Sequence, residues 1–350
     1  MKTLKKILAM TTIIIMCSII ILVNNFNNVF ATDTRSPVRI GVFSKDLNDD
    51  YLILLRKSFE EIQKRNPEKV IFTFYDAKFN QETQNLNLEN TLKEGIDLVL
   101  LDMVDVNQVD EFVNKIAKYD IPVIFFNREP LNLDALKTYK KALYVGTDSK
   151  QAGILQGKMI ADAWKNYKKS MDKNNDDILQ YVMLVGERFN KTSTDRSTFS
   201  ISTIQESGIK TQELASKILN WSTENAKDTV GALFLKYGNN IEAIISNDDS
   251  MAIGAVQALQ QYGYNSGDKA KVIAVVGVDG VPKAQDLISK GFMLGTAFQD
   301  PANMADTIYT VGLNLIDGKN PTEGIPYKLD DTGVAIKIPF KELTGPMFKQ

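Results

Sequence analysis

Carboxylates, amides and one guanidinium gather where apolar runs of this chain stop. Asp49, Asn127, Asp248, Asp279 and Gln299 stand at such ends, with Arg196 at the head of a helical segment. Tyr51 and Trp221 lie in neighbouring turns. Groups of these kinds suit a neutral polyol: carboxylates and amides take the hydroxyl hydrogen bonds, while aromatic faces cover the apolar C–H patches. Each residue alone reads more readily as a solvated loop end or a helix cap. Their joint placement at the carboxyl ends of buried strands is what marks a site.

A second set of oxygens runs from Asp172 to Gln180. Asp172, Asn174, Asp176 and Gln180 occupy positions 1, 3, 5 and 9, and Ile178 offers its carbonyl at position 7. That is the oxygen spacing of a calcium loop. Asp177 stands where glycine is usual, and position 12 is Met183 inside a strand, so a bidentate acid must come from elsewhere. The spacing fits an acidic surface loop equally well. Much other chemistry is excluded. The chain has no histidine, which removes Ser–His and Cys–His pairs, the usual zinc motifs and imidazole acid–base catalysis. Neither a GxGxxG run nor a phosphate loop ending in Gly-Lys-Ser/Thr occurs. No catalytic residue is assigned, and the chain reads as a binding protein rather than an enzyme.

The elements that must position these groups alternate. Val38 to Phe43, Val70 to Tyr75, Ile96 to Leu101 and Ile121 to Phe126 read as strands. Helical patterns separate them, the clearest with Leu52, Leu55, Phe59 and Ile62 on one face. A βαβ rhythm implies a parallel sheet with right-handed crossovers. The short run Ala142 to Val145 then leads into Gly146-Thr147-Asp148, a crossing into a second domain. There the rhythm restarts: helix 148–166, strand 179–185, helices 194–207 and 222–235, strands 241–245 and 272–278. Asp249 is expected to cap the helix that runs to Tyr262. After Gly295 to Phe298, Pro301 opens a long helix that returns to the first domain. The fold class is α/β: two successive domains with parallel sheets, the second beginning near Gly146.

With 44% hydrophobic and 24% charged residues, this is ordinary globular composition, and a net charge of −2 gives no support for nucleic-acid binding. Lys2, Lys5 and Lys6 precede an apolar run from Ile7 to Val23, and Val29-Phe30-Ala31 follows with residues a signal peptidase reads. Residues 1–31 are a signal peptide, or a signal-anchor, because the run approaches the ~18–20 residues that span a bilayer. Removing them leaves 38 basic against 43 acidic residues. It also removes Cys17, the single cysteine, so the exported chain relies on its cores rather than on disulfides.

The chain resembles the bacterial galactose/glucose-binding proteins of sugar ABC transporters and chemotaxis, members of the type I periplasmic-binding-protein fold. The runs that carry the resemblance are VRIGV near Val38, PVIFFNREP near Asn127, YVGTDSKQAGILQG near Gly146, NDDSMAIGAVQAL near Asp248 and VVGVDGVPKA near Asp279. It implies that Tyr51 and Trp221 sandwich a monosaccharide between the lobes. It further implies that Asp49 bonds the 4-hydroxyl, Asn127 the 6-hydroxyl, Arg196 the ring oxygen and anomeric end, and Asp279 the 2- and 3-hydroxyls. For the acidic loop it implies Ca2+, with Glu242 as the remote bidentate ligand. Four positions depart from the family: Asn190 and Thr192 stand where a histidine and an aspartate are expected, and Asp248 and Gln299 where asparagines are. The implied fold is two Rossmann-like lobes with parallel sheets, residues 38–145 plus 301–331 and 146–298 plus 335–345, joined by a three-strand hinge. The implied role is that of a monomeric, extracytoplasmic solute-binding protein read by an ABC permease or, in a membrane-anchored form, by a sensor histidine kinase.

Overall fold

The computed structural model describes residues 36–348, so the N-terminal segment read as a signal peptide or anchor lies outside the described residues. Two six-stranded sheets carry the fold. The first holds β1 (Val38–Ser44), β2 (Val70–Asp76), β3 (Leu98–Leu101), β4 (Val123–Phe126), β5 (Ala142–Gly146) and β11 (Ala335–Lys337), in the order β11-β5-β4-β3-β1-β2. The second holds β6 (Ile178–Val185), β7 (Lys210–Ile218), β8 (Ala243–Ser246), β9 (Ala274–Asp279), β10 (Gly295–Phe298) and β12 (Lys341–Thr344), in the order β12-β10-β9-β8-β6-β7. Every pairing is parallel except β10 with β12. Strands covered on both faces must be apolar throughout. Accordingly β3, β4 and β8 are buried at all four positions.

Ten helices join these strands among the described residues: α1 (Asp50–Arg65), α2 (Gln81–Glu94), α3 (Val109–Ala117), α4 (Asp134–Lys137), α5 (Ser149–Met171), α6 (Lys191–Glu206), α7 (Thr223–Tyr237), α8 (Asp249–Gln261), α9 (Pro282–Ser289) and α10 (Pro301–Ile316). α1 buries Leu52, Leu55, Phe59 and Ile62, the face expected from their spacing. α10 packs on α1, β4 and β5, so the late helix does return to the first lobe.

The chain crosses between lobes three times, after β5, β10 and β11, which agrees with a three-strand hinge. One boundary is corrected. The expected second lobe includes 335–345 whole, yet β11 lies parallel to β5 in the first sheet, and only β12 joins the second. The crossing therefore falls between Lys337 and Lys341. There the Ile338 amide donates to Gly146 O at 2.7 Å and the Phe340 amide to Gln151 Oε1 at 2.9 Å. β7 was not anticipated. It is an edge strand with no fully buried position, so it lacks the apolar run that marks the others.

Candidate functional site

Both sheets reverse strand order beside their first strand, β1 flanked by β2 and β3, and β6 by β7 and β8. Connections leave in opposite directions there and open a crevice at the carboxyl ends. The two crevices face each other across one cavity. All ten residues expected to hold the ligand line it: Asp49, Tyr51, Asn127, Asn190, Thr192, Arg196, Trp221, Asp248, Asp279 and Gln299. Lys45, Arg128, Glu129, Tyr144, Thr147, Ser149 and Ser250 line it too and were not assigned from sequence. Lys45 follows β1 directly, and Arg128 and Glu129 follow Asn127, so position at a strand end was a usable signal for these three. Tyr144 lies inside a fully buried strand and carried no signal.

On the first lobe, Asp49 caps α1. Its Oδ1 accepts from the Tyr51 and Leu52 amides at 3.0 and 3.1 Å, and its Oδ2 from Lys45 Nζ at 2.8 Å. Burial works against the charge on Asp49, but Lys45 and the two amides outweigh it and hold the carboxyl below its usual range. Behind it Asp102, fully buried, accepts from the Lys45 amide and from Asn127 Nδ2, each at 3.2 Å. Burial pushes Asp102 up to about 6, against the pull of Lys45 and Arg128.

On the second lobe Asp248, and not Asp249, caps α8: its Oδ1 accepts from the Met251 amide at 2.9 Å. This corrects the expected cap. Asp249 points the other way, accepting from the Gly280 and Val281 amides at 2.6 and 2.9 Å and from Thr296 Oγ1 at 2.8 Å. It thereby ties the loop that carries Asp279 to the sheet. Burial pushes Asp249 up to about 7 and pushes Asp248 and Asp279 well above the usual carboxylate range. Arg196 donates to Asn247 O at 2.5 Å, and its buried Nε has no partner among the described residues. Two glycines make these placements possible. A Cβ on Gly153 would stand 2.7 Å from Arg196 O, so glycine lets α5 approach α6; a Cβ on Gly186 would stand 2.1 Å from the Trp221 ring.

Several left-handed backbone positions stand here. Asn127 (φ 58°), Phe189 (57°), Asn220 (52°), Trp221 (61°) and Asp279 (111°) are non-glycine residues in the left-handed region, and all stand on or beside the cavity. Such conformations cost roughly 1 kcal/mol or more each and persist where surrounding structure over-determines them. Across the mouth, Arg128 Nη2 meets Glu187 Oε2 at 2.5 Å, Lys191 approaches Glu129 at 3.5 Å, and Ser250 donates to Asp50 at 2.6 Å. These contacts hold the lobes closed on the cavity.

The acidic loop lies at the opposite edge of the second sheet, where β6 and β8 begin. Asp172, Asn174 and Asp176 accept from loop amides, and Gln180 Nε2 donates to Asp176 Oδ2 at 2.7 Å. Glu242 accepts from the Lys173 and Gln180 amides at 2.7 and 3.0 Å, so the remote acid does reach the loop. Asp177, at the glycine position, takes the left-handed backbone (φ 62°). Among the described residues no three acidic, imidazole or thiol groups surround one point closely enough to form a metal cluster. The donors still fit a hard cation in kind. Gln180 Oε1 is buried without a partner among the described residues, and burial pushes Glu242 up to about 7, with Asp172 and Asp176 adding to the effect.

Two α/β lobes joined by three crossings, with a polar, aromatic-walled cavity between them, define an interlobe solute-binding protein. The chain belongs to the family described as the periplasmic binding protein domain, matched over residues 40–320. It is 33% identical over 312 residues to the D-galactose/methyl-galactoside binding periplasmic protein MglB of Haemophilus influenzae, covering 89% of each chain. Two solved ABC-transporter solute-binding proteins share its fold. One, from Actinobacillus succinogenes with bound D-allose, has TM-score 0.73 and 24% identity and covers 89% of this chain and 99% of its own. The other, from Bacillus halodurans with bound myo-inositol, has TM-score 0.71 and 22% identity and covers 89% and 96%. No helix among the described residues is long and apolar enough to cross a membrane.

Proposed function

We propose that this protein captures a galactose- or glucose-like monosaccharide outside the cytoplasm and presents it to an ABC permease. The observation that carries this reading is the convergence of Asp49, Asn127, Arg196, Asp279, Tyr51 and Trp221 on one closed interlobe cavity. Ligand that bridges both walls stabilises the closed state by its differential affinity for it, and the permease reads that shape. The anomeric end is where this chain departs most, because Thr192 supplies no carboxylate there. A buried charged hydrogen bond contributes roughly 1.5–3 kcal/mol, so its loss costs about tenfold or more in affinity. Calorimetry should therefore find galactose and glucose bound more weakly than by relatives with that carboxylate, and their methyl glycosides accepted almost as well as the free sugars. Absence of any pyranose binding overturns the reading. Tight binding of free sugars with rejection of methyl glycosides overturns the anomeric argument alone.

The loop from Asp172 to Gln180 and Glu242 are proposed to hold Ca2+. Asp172, Asn174, Asp176, Gln180 and the Ile178 carbonyl would be the local ligands and Glu242 the remote one. Bound there, the ion would cross-link the α5–β6 connection to the start of β8, a structural role at the edge away from the cleft.

A further inference from the structure

The sugar cavity continues outward on the side where Thr192 stands. Arg128, Glu129, Asn190 and Thr192 line both the cavity and an outer recess between the lobes, so these side chains form the partition between the two. Beyond it stand Asn107 and Leu131 from the first lobe and Phe189 and Lys191 from the second. The recess thus repeats the make-up of the inner site, with an amide, charged groups and an aromatic face. Phe189 is its sharpest mark. It is 94% exposed, although the Arg188 guanidinium lies 5.9 Å from its ring, and Leu131 is 61% exposed. Phe189 precedes Asn190, the cap of α6, where an apolar side chain ordinarily packs onto the fourth helical residue. That residue is the exposed Thr194, so no such packing holds the ring, and a left-handed backbone (φ 57°) carries it beside the recess. The partition is weakest at Thr192, short and uncharged, where the resemblance puts the anomeric hydroxyl. The other mouth differs. Lys45, Asp49 and Asp248 line both the cavity and the recess on that side, so charged groups that hold hydroxyls remain there. We infer that the recess beyond Thr192 is a second subsite and that the preferred ligand is a neutral disaccharide. Its galactose- or glucose-like ring fills the inner cavity, and its anomeric oxygen links to a second sugar ring lying against Phe189 and Leu131. This rests on the monosaccharide reading for the inner cavity and extends it outward. The C–H face of the second ring removes exposed apolar surface from water, and Asn107 and Lys191 stand beside its hydroxyls.

Calorimetry at neutral pH tests it with galactose, glucose and their methyl glycosides against lactose, melibiose, cellobiose and maltose, which carry the same rings at the non-reducing end in both anomeric forms. At least one disaccharide should bind about fivefold or more tighter than the methyl glycoside of its own ring and configuration. Phe189→Ala should bring that ratio close to one. Thr192→Asp, which places a carboxylate in the partition, should raise affinity for the free sugars and lower it for the disaccharide by about tenfold or more. Wild-type protein that binds the monosaccharides or their methyl glycosides but gains nothing from any second ring overturns this inference and leaves the monosaccharide reading standing. Binding of none of these compounds overturns both. A disaccharide preference that survives Phe189→Ala unchanged overturns the recess as the seat of the second ring.

Discussion

The two lobes use one strand order, and equivalent strand ends carry equivalent duties. Asn127 follows β4 and Asp279 ends β9, each a ligand-facing residue in a left-handed conformation. Asp102 follows β3, and Asp248 and Asp249 follow β8. The charges are closed differently. In the first lobe Asp49 has Lys45 at 2.8 Å and Glu129 has Lys337 at 2.8 Å, so that wall is settled by the protein. In the second, Asp248 and Asp279 have no ion-pair partners of their own among the described residues and share the field of Arg196. A duplicated fold thus supplies one preformed wall and one that the ligand completes.

The largest effect should come from the acid behind each wall. Asp249→Ala strands two buried amides and a buried hydroxyl, each costing roughly 1–3 kcal/mol, so urea unfolding should lose about 3–5 kcal/mol. Asp102→Ala strands the Lys45 amide and frees an Asn127 amide that can turn into the cavity, and should lose only about 1–2 kcal/mol. Equal losses would erase the asymmetry between the lobes. The pH dependence has a definite sign. Asp249 sits at about 7 in the folded protein against the ordinary 3.8, so the folded state holds its proton more tightly. Its contribution to stability is greatest below about 4 and declines as pH rises toward about 7. Asp249→Asn should flatten that decline.

The second contrast lies within one lobe, between its two edges. The cleft end of the second sheet carries the proposed ligand residues, the far end the proposed cation loop. Chelator should lower the melting temperature by several degrees, since a ligand that binds only the folded state at a large excess over its dissociation constant contributes about 3–4 kcal/mol. Glu242→Gln should largely abolish the difference between chelated and calcium-loaded protein. Its own cost to stability, from weaker acceptance of the Lys173 and Gln180 amides, drops out of that difference. Superimposable melting curves with and without calcium would remove the ion from the account.

What the sequence made legible follows from where its signals are local. Strands covered on both faces are apolar along most of their length, so β1, β3, β4, β8 and β9 stood out, and polar residues at or beyond their carboxyl ends fell on the cavity. Asn127 directly after β4 and Asp279 at the end of β9 are legible this way, Gln299 directly after β10, and Asp49 as the cap of the helix that follows β1. β7 was not, because an edge strand with exposed Lys210, Glu213 and Ser216 has no such run. β11 has three residues, and nothing in Ala335–Lys337 says which sheet it joins; that is set by pairing with β5, nearly two hundred residues earlier. Asp248 and Asp249 exchanged roles for a similar reason. Either could cap α8 by local pattern, and only the distant amides of Gly280 and Val281 decide which one turns inward. Lys45 was missed because a lysine after a strand ordinarily faces water, whereas here Asp49 and Asp102 hold it in the wall and raise its basicity against the opposing effect of burial.

The smallest effect concerns the mouth of the cleft, where the two edges of closure also differ. On one side the Arg128 guanidinium is divided: Nη1 donates to Val104 O at 2.6 Å and Met103 O at 3.2 Å, and Nη2 crosses to Glu187. On the other, Ser250 meets Asp50 in an exposed contact. Lysine at 128 keeps the charge but cannot serve its own lobe and the other at once. Because the pair is partly exposed, at 14% and 22%, solvent screening limits its worth to about 1 kcal/mol, or roughly fivefold in affinity. The closed state alone contains this contact, so Arg128→Lys should act on the dissociation rate and leave association nearly unchanged. Ser250→Ala should change either rate by less than about twofold, as an exposed hydrogen bond replaced by water. Stopped-flow measurement of Trp221 fluorescence on ligand release separates these outcomes. A slower association with unaltered release would make Arg128 a group that steers the ligand inward, and the closing contact would then have to lie with Lys191 and Glu129.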